Sequence, residues 1–182
     1  MIIRPIQKSD TEGGFCCGMP ALDRFFAKRA WSHEQANVSR TYVLQDDGTS
    51  DGRPGAILGF YTLAAKSIER ERLRDPLPGG LPKYPLPVFY VGFFAVAEHH
   101  QGRGLGRRLM ADALRRCTEG VEQVGAVGVF LDSLDDKSTA FYRSLGFLNI
   151  PREPSAAADS PQPMFLPMKV LLAARPTLID EA

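Results

Sequence analysis

The chain has 182 residues, 44% of them hydrophobic and 24% charged, with a formal net charge of +1. That length suits one domain with a proper core, the composition excludes bulk disorder, and the charge excludes a histone-like polycation. No apolar run approaches the roughly 20 residues a membrane helix needs, and Met1 to Asp10 lacks the basic-then-apolar layout of a signal peptide.

In chain order, Ile2 to Ile6 alternates and reads as a first strand. Pro20 fits the first turn of a helix in which Leu22, Phe25, Phe26 and Ala30 recur at helical spacing to about His33. Cys16 and Cys17 are adjacent and Cys117 is distant, which is neither a disulfide framework nor zinc spacing, so a reducing cytoplasm is expected. Thr41 to Leu44 and Ala56 to Ala65 read as a hairpin around an Asp-, Gly- and Pro-rich turn at 46–55. Residues 66–87 are polar and proline-rich, an irregular loop or short helix with an extended lead-in. Val88 to Val96 is apolar on both faces, as a buried central strand should be. Leu105 to Cys117 is helical, with Leu105, Leu109, Ala113, Leu114 and Cys117 on one face. Ala126 to Leu131 is a further buried strand. Asp136 to Leu145 is a helix closed by Gly146. Phe147 to Ile150 is a short strand, 151–163 a loop, and Met164 to Leu172 a last strand. The order implies a mixed α/β sheet, with parallel pairing at its centre and an antiparallel hairpin.

The most informative stretch is Gln101-Gly102-Arg103-Gly104-Leu105-Gly106, a glycine-rich turn between a strand and a helix. Such a corner leaves backbone N–H groups unpaired at the positive end of the helix dipole, which suits a phosphate or pyrophosphate. Gly104 and Gly106 lack a Cβ, so an anion can approach the main chain. Neither a Walker lysine nor the third glycine of a dinucleotide fingerprint is present. Basic residues gather at Arg24, Lys28, Arg29 and Arg40, at Lys66 to Lys83, and at Arg103 to Arg116. Each group reads either as a solvated face or as a phosphate contact.

These residues resemble the GNAT acetyltransferase superfamily. The pattern Gln/Arg-x-x-Gly-x-Gly/Ala is met by Gln101, Gly104 and Gly106, directly after Phe94-Ala95-Val96. One strand and one helix later, Ala140-Phe141-Tyr142-Arg143-Ser144-Leu145-Gly146-Phe147 is similar to the family's Phe-Tyr-x-x-x-Gly-Phe ending. Phe15-Cys16-Cys17-Gly18, Leu22-Asp23, Phe26, Ala30, Ser39-Arg40-Thr41-Tyr42-Val43 and Gly59-Phe60-Tyr61-Thr62-Leu63 resemble, more narrowly, the aminoacyl-tRNA-acetylating toxins of bacterial type II toxin–antitoxin modules. One departure stands out: where those toxins often read Gly-Arg-Leu-Ala-Val, this chain reads Gly92-Phe93-Phe94-Ala95-Val96.

The resemblance implies the GNAT acyltransferase fold: a central mixed, largely antiparallel sheet with helices on both faces, as one domain over 1–174 followed by a tail at 175–182. It implies acetyl-CoA as cofactor, bound by Phe94, Ala95 and Val96 along the pantetheine arm. Gln101, Gly102, Arg103, Gly104, Leu105, Gly106 and Arg107 would lie at the pyrophosphate. It makes Tyr142 the catalytic proton donor to the departing thiolate; the bland reading of that tyrosine is a ring packed in the core. No metal is expected. The implied activity is acetylation of the α-amine of aminoacyl-tRNA, blocking translation. The implied partners are a charged tRNA, a ribbon-helix-helix antitoxin and a second copy in a homodimer, with no membrane. The alternatives are a GNAT enzyme for a small amine or protein N-terminus, and a catalytically silent CoA-binding module. No general base stands out: His33, His99 and His100 are the only histidines, and Glu98, Asp132 and Asp135 are the acidic candidates. Trp31, Phe26 and Tyr84 are candidates to stack on a terminal adenine.

Overall fold

The computed structural model describes residues 1–48, 55–73, 77, 81–153, 155–157 and 159–174. Seven strands form one sheet in the order β1-β2-β3-β4-β5-β7-β6. They are β1 (Ile2–Pro5), β2 (Arg40–Gln45), β3 (Ile57–Ile68), β4 (Leu86–Val96), β5 (Gly128–Ser133), β6 (Leu148–Asn149) and β7 (Gln162–Pro167). The helices are α1 (Pro20–Lys28), α2 (Ala30–Gln35), α3 (Leu105–Gly120), α4 (Asp136–Ser144) and α5 (Met168–Ala173). β4 and β5 pair in parallel, while β1–β2, β2–β3, β5–β7 and β6–β7 are antiparallel. The mixed, mostly antiparallel sheet is the one expected. No described helix is long and apolar enough to cross a membrane. The proposed tail at 175–182 lies outside the described residues.

The chain divides into two compact units. The first combines Met1–Ala64 with Gly92–Ala113. Its core packs Phe25, Phe26 and Ala30 of α1 and α2 on Val43, Phe60 and Ala95 of β2, β3 and β4. Side chains alternate across a strand, so the neighbours of Phe60 face the other way. There a Cβ on Gly59 would lie 2.7 Å from Leu109 Cδ1 of α3, and the buried Tyr61 hydroxyl donates to Asp112 of the same helix. Helices thus cover both faces of these strands.

The second unit contains, of the described residues, those of Ala65–Val91 and those from Leu114 to Ala174. Ile68, Leu73, Val88, Phe130, Ile150 and Phe165 form its buried cluster. Gly128 is a close-approach position, since a Cβ there would sit 2.4 Å from Leu166 O of β7.

Three elements differ from the sequence reading. The helix expected to His33 breaks at Arg29, whose φ of −127° leaves the helical region. His33 N–H still donates to Arg29 O at 2.9 Å, and the break carries Ala30, 0% exposed, into the cluster around Phe25. The strand expected over Met164 to Leu172 ends at Pro167, and α5 follows. An apolar run cannot by itself tell a buried strand from a helical turn. β3 also runs on to Ile68 where Ala65 was expected to end it, and the 3₁₀ helix at Arg70–Leu73 that follows is the short helix allowed for there.

Candidate active site

In the first unit, β4 leads through a 3₁₀ turn at Glu98–His100 into the glycine corner, and α3 starts at Leu105. Gly102 and Gly104 have φ of +75° and +81°, a region L side chains rarely adopt. A Cβ at either would meet nothing within 4 Å, so open space lies beside the main chain. Residues 101–104 and Arg107 are exposed, and Leu105 is buried and anchors the helix start. The first N–H groups of a helix have no intrahelical partner. An exposed start to a 16-residue helix, with Arg103 and Arg107 alongside, therefore fits a pyrophosphate.

Phe94, Ala95 and Val96 end β4; Ala95 is buried and the other two are half-buried. The recorded ladder between β4 and β5 runs from Phe89↔Val129 to Val91↔Leu131, so these three residues lie past its last rung. Gly59 is required beside them, because a Cβ there would come 2.7 Å from Ala95 O. Phe93, which departs from the arginine of the toxins the sequence resembles, stacks on Phe25 with ring centroids 3.5 Å apart and planes 7° apart. Its N–H donates to Thr62 Oγ1 at 2.9 Å. The position therefore adds apolar surface to the α1 cluster rather than a cation.

Tyr142 belongs to the second unit, on α4. Asp135 caps that helix, its Oδ1 accepting from Ser138 N–H at 2.7 Å. Gly146, at φ +91°, closes it: Gly146 N–H donates to Arg143 O at 3.0 Å and Phe147 N–H to Tyr142 O at 3.1 Å. That paired closure is a Schellman motif, which explains the spacing of Phe-Tyr-x-x-x-Gly-Phe. It folds Phe147 back on Tyr142, with centroids 5.9 Å apart, and the Phe141 ring lies 5.2 Å from the same tyrosine. Tyr142 is 7% exposed. Burial, and secondarily the charge of Asp135, push its phenol well above the ordinary tyrosine value, so it stays protonated at neutral pH.

Several of the other candidates have structural occupations. Phe26 is core, 1% exposed, which removes it as a stacking platform; Trp31 is half-buried against that core and Tyr84 is 63% exposed. His33 makes an edge contact with Phe25. His99 is exposed and His100 is half-buried. Glu98 abuts Gly18, and Asp132 accepts from Tyr90 OH at 3.0 Å with Lys66 3.9 Å away. Sequence reasoning missed the Lys66–Tyr90–Asp132 group, where the ammonium also lies 4.3 Å from the Phe130 ring centroid. It missed the hydrogen bonds of the Gln101 side chain too. Both assemble residues far apart in sequence.

The acetyltransferase (GNAT) family model matches residues 9–147. A tRNA-acetylating toxin of Mycobacterium tuberculosis is 32% identical over 151 residues, 83% of this chain and 86% of that protein. AtaT, solved in complex with acetyl-methionyl-tRNAfMet, is 25% identical with a TM-score of 0.79, covering 96% of this chain and 98% of that one. A tyrosine-to-phenylalanine mutant of AtaT, solved bound to the C-terminus of the antitoxin AtaR, is 24% identical with a TM-score of 0.73. That match covers 94% of this chain and 96% of the other, and it bears on fold alone. On the match of its greater part to the family model, joined to the glycine corner at the start of α3, the chain belongs to the GNAT acetyltransferase family.

Proposed function

We propose that this protein is an acetyl-CoA-dependent N-acetyltransferase toxin that acetylates the α-amine of aminoacyl-tRNA and so blocks translation. The observation that carries the reading is the open, exposed glycine corner at the start of α3, in a chain similar over most of its length to a tRNA-acetylating toxin. When bound, acetyl-CoA supplies an acetyl thioester whose carbonyl carbon an amine can attack.

The chain's own residues have four tasks. Main chain at 101–107 holds the pyrophosphate, with Arg103 and Arg107 adding positive charge. Phe94, Ala95 and Val96 orient the pantetheine arm, and backbone N–H near Ala95 or Val96 stabilises developing negative charge on the carbonyl oxygen. Tyr142, kept protonated by burial, hands its proton to the departing sulfur. Exposed Arg24, Lys28 and Arg29 on and beside α1 hold RNA phosphates.

The acceptor's own chemistry supports the reading. Among the described residues, Asp132, Asp135 and His33 are each engaged by neighbouring groups. An α-amine titrates near pH 7.7–8.0, about 2.5 units below a lysine side chain, and esterification of the neighbouring carboxyl lowers it further. Such an amine is substantially neutral without help. The reading also carries a ribbon-helix-helix antitoxin as partner, a homodimer, a cytoplasmic location and one catalytic domain over 1–174.

Charged and deacylated tRNA, each incubated with labelled acetyl-CoA, test the proposal. Label is expected on charged tRNA only, together with translation arrest that needs acetyl-CoA. Label on small amines or peptide N-termini and none on charged tRNA would overturn it.

A further inference from the structure

Gln101 carries its side-chain nitrogen to two main-chain oxygens, Val96 O and Cys17 O, each at 3.0 Å. Both partners are carbonyls, which only accept, so the atom between them must be the NH2 group with its two donors. One bond closes the strand-to-turn corner on itself; the other reaches 84 residues back in sequence to the segment before α1. Two more bonds run beside them. Glu98 N–H donates to Cys16 O at 3.0 Å, and Cys17 N–H donates to Asp23 Oδ1 at 2.8 Å, Asp23 lying in the first turn of α1. Gly18, at φ +83°, passes close to Glu98, whose carboxyl carbon would lie 3.6 Å from a Cβ there. A continuous series of contacts thus runs from α1 through Cys17 and Gln101 to the turn that starts α3.

We propose that Gln101 is a positioning residue whose side-chain amide fixes the pyrophosphate turn against residues 16–23. This rests on the cofactor reading above, and adds that the side chain acts through protein carbonyls and not on the ligand. Two left-handed glycines give the turn backbone freedom that binding must remove, and a turn already held loses less of it. Glutamate at 101 keeps the size but has no N–H, so it sets an acceptor against two acceptors. Arginine keeps the donors. Asp23 acts on the same turn from a distance, by holding Cys17.

The test titrates coenzyme A calorimetrically into the full chain as wild type, Gln101→Glu, Gln101→Arg, Asp23→Ala and the double variant Gln101→Glu/Asp23→Ala. Losing two neutral hydrogen bonds predicts an affinity about tenfold weaker for Gln101→Glu, with Gln101→Arg restoring most of it. Asp23→Ala weakens binding although it lies outside the turn, and the double variant is no weaker than Gln101→Glu alone. Equal affinity of wild type and Gln101→Glu overturns the proposal. So do losses that multiply independently in the double variant, the mark of Gln101 acting on the ligand itself, and so does a Gln101→Arg no better than Gln101→Glu. If Gln101→Glu melts out, Gln101→Met, similar in length and without donors, takes its place under the same criteria. A folded wild type with no affinity for coenzyme A overturns the cofactor reading and this proposal together.

Discussion

Tyr142 shows how one backbone reversal prepares a functional group. Gly146 in the left-handed region lets Phe147 N–H return to Tyr142 O, and the returning Phe147 ring packs against the tyrosine. The aromatic ring is therefore held in part by packing against its neighbours. Tyr142→Phe keeps the ring and removes the hydroxyl that would give the proton. Acetyl transfer to charged tRNA should fall on the order of 10²-fold or more, with coenzyme A affinity unchanged. Single-turnover transfer and a parallel calorimetric titration measure the two; an unchanged transfer rate would reduce Tyr142 to a packing residue. The glycine corner and the Phe-Tyr-x-x-x-Gly-Phe run were legible in the sequence because each is a local backbone device with fixed spacing. The two carbonyl partners of Gln101 were not read from the sequence: Val96 lies only five residues away, while Cys17 is brought in by the tertiary fold.

At the scale of elements, α4 depends on its cap. Asp135 accepts from Ser138 N–H, and Ser138 Oγ in turn accepts from Asp135 N–H at 3.2 Å, a reciprocal box. The bond from the Ser138 backbone is the main cause holding the Asp135 carboxyl below its ordinary value of 3.8. A carboxylate so depressed stabilises the fold above its unfolded value, and that contribution disappears as pH falls through the lower folded value. Asp135→Ala should therefore cost about 1 kcal/mol at neutral pH. The gap between the two proteins should begin to narrow as pH falls below about 4 and go on narrowing through the lower folded value. Urea melts at pH 7 and pH 3 measure this, and a gap that persists undiminished at the lower pH would refute the charged cap. The cap and the glycine stop of α4 were readable from residue types alone. The break at Arg29 was not, because helical spacing continues through it and burial of Ala30 decides the path. The strand-to-helix change at Pro167 was hidden for a related reason, since an unbroken apolar run satisfies either element.

Across the whole molecule, a net charge of +1 hides an uneven division of labour among the basic residues. In the 66–83 group, read from sequence as either a solvated face or a phosphate contact, two cations are already engaged. Lys66 sits near Asp132 over two aromatic rings, and Arg72 pairs with Glu153. Arg40 is likewise held, by Glu34 at 2.7 Å and Asn37 at 2.8 Å. Arg24 and Lys28, four residues apart on α1, and Arg29 beyond them are exposed, with no ion pair recorded among the described residues. A cation held by protein carboxylates releases no counterions when RNA arrives, whereas an exposed one does. Replacing Arg24 and Lys28 by glutamine should raise the KM for charged tRNA and lower the slope of log affinity against log salt by about 0.7–0.9 per lost phosphate contact. Lys66→Gln should leave that slope unchanged, and neither change should alter coenzyme A affinity. Filter binding of charged tRNA across a salt series separates the two groups. An unchanged slope in the α1 variant, or a reduced slope in Lys66→Gln, would move the RNA surface away from α1.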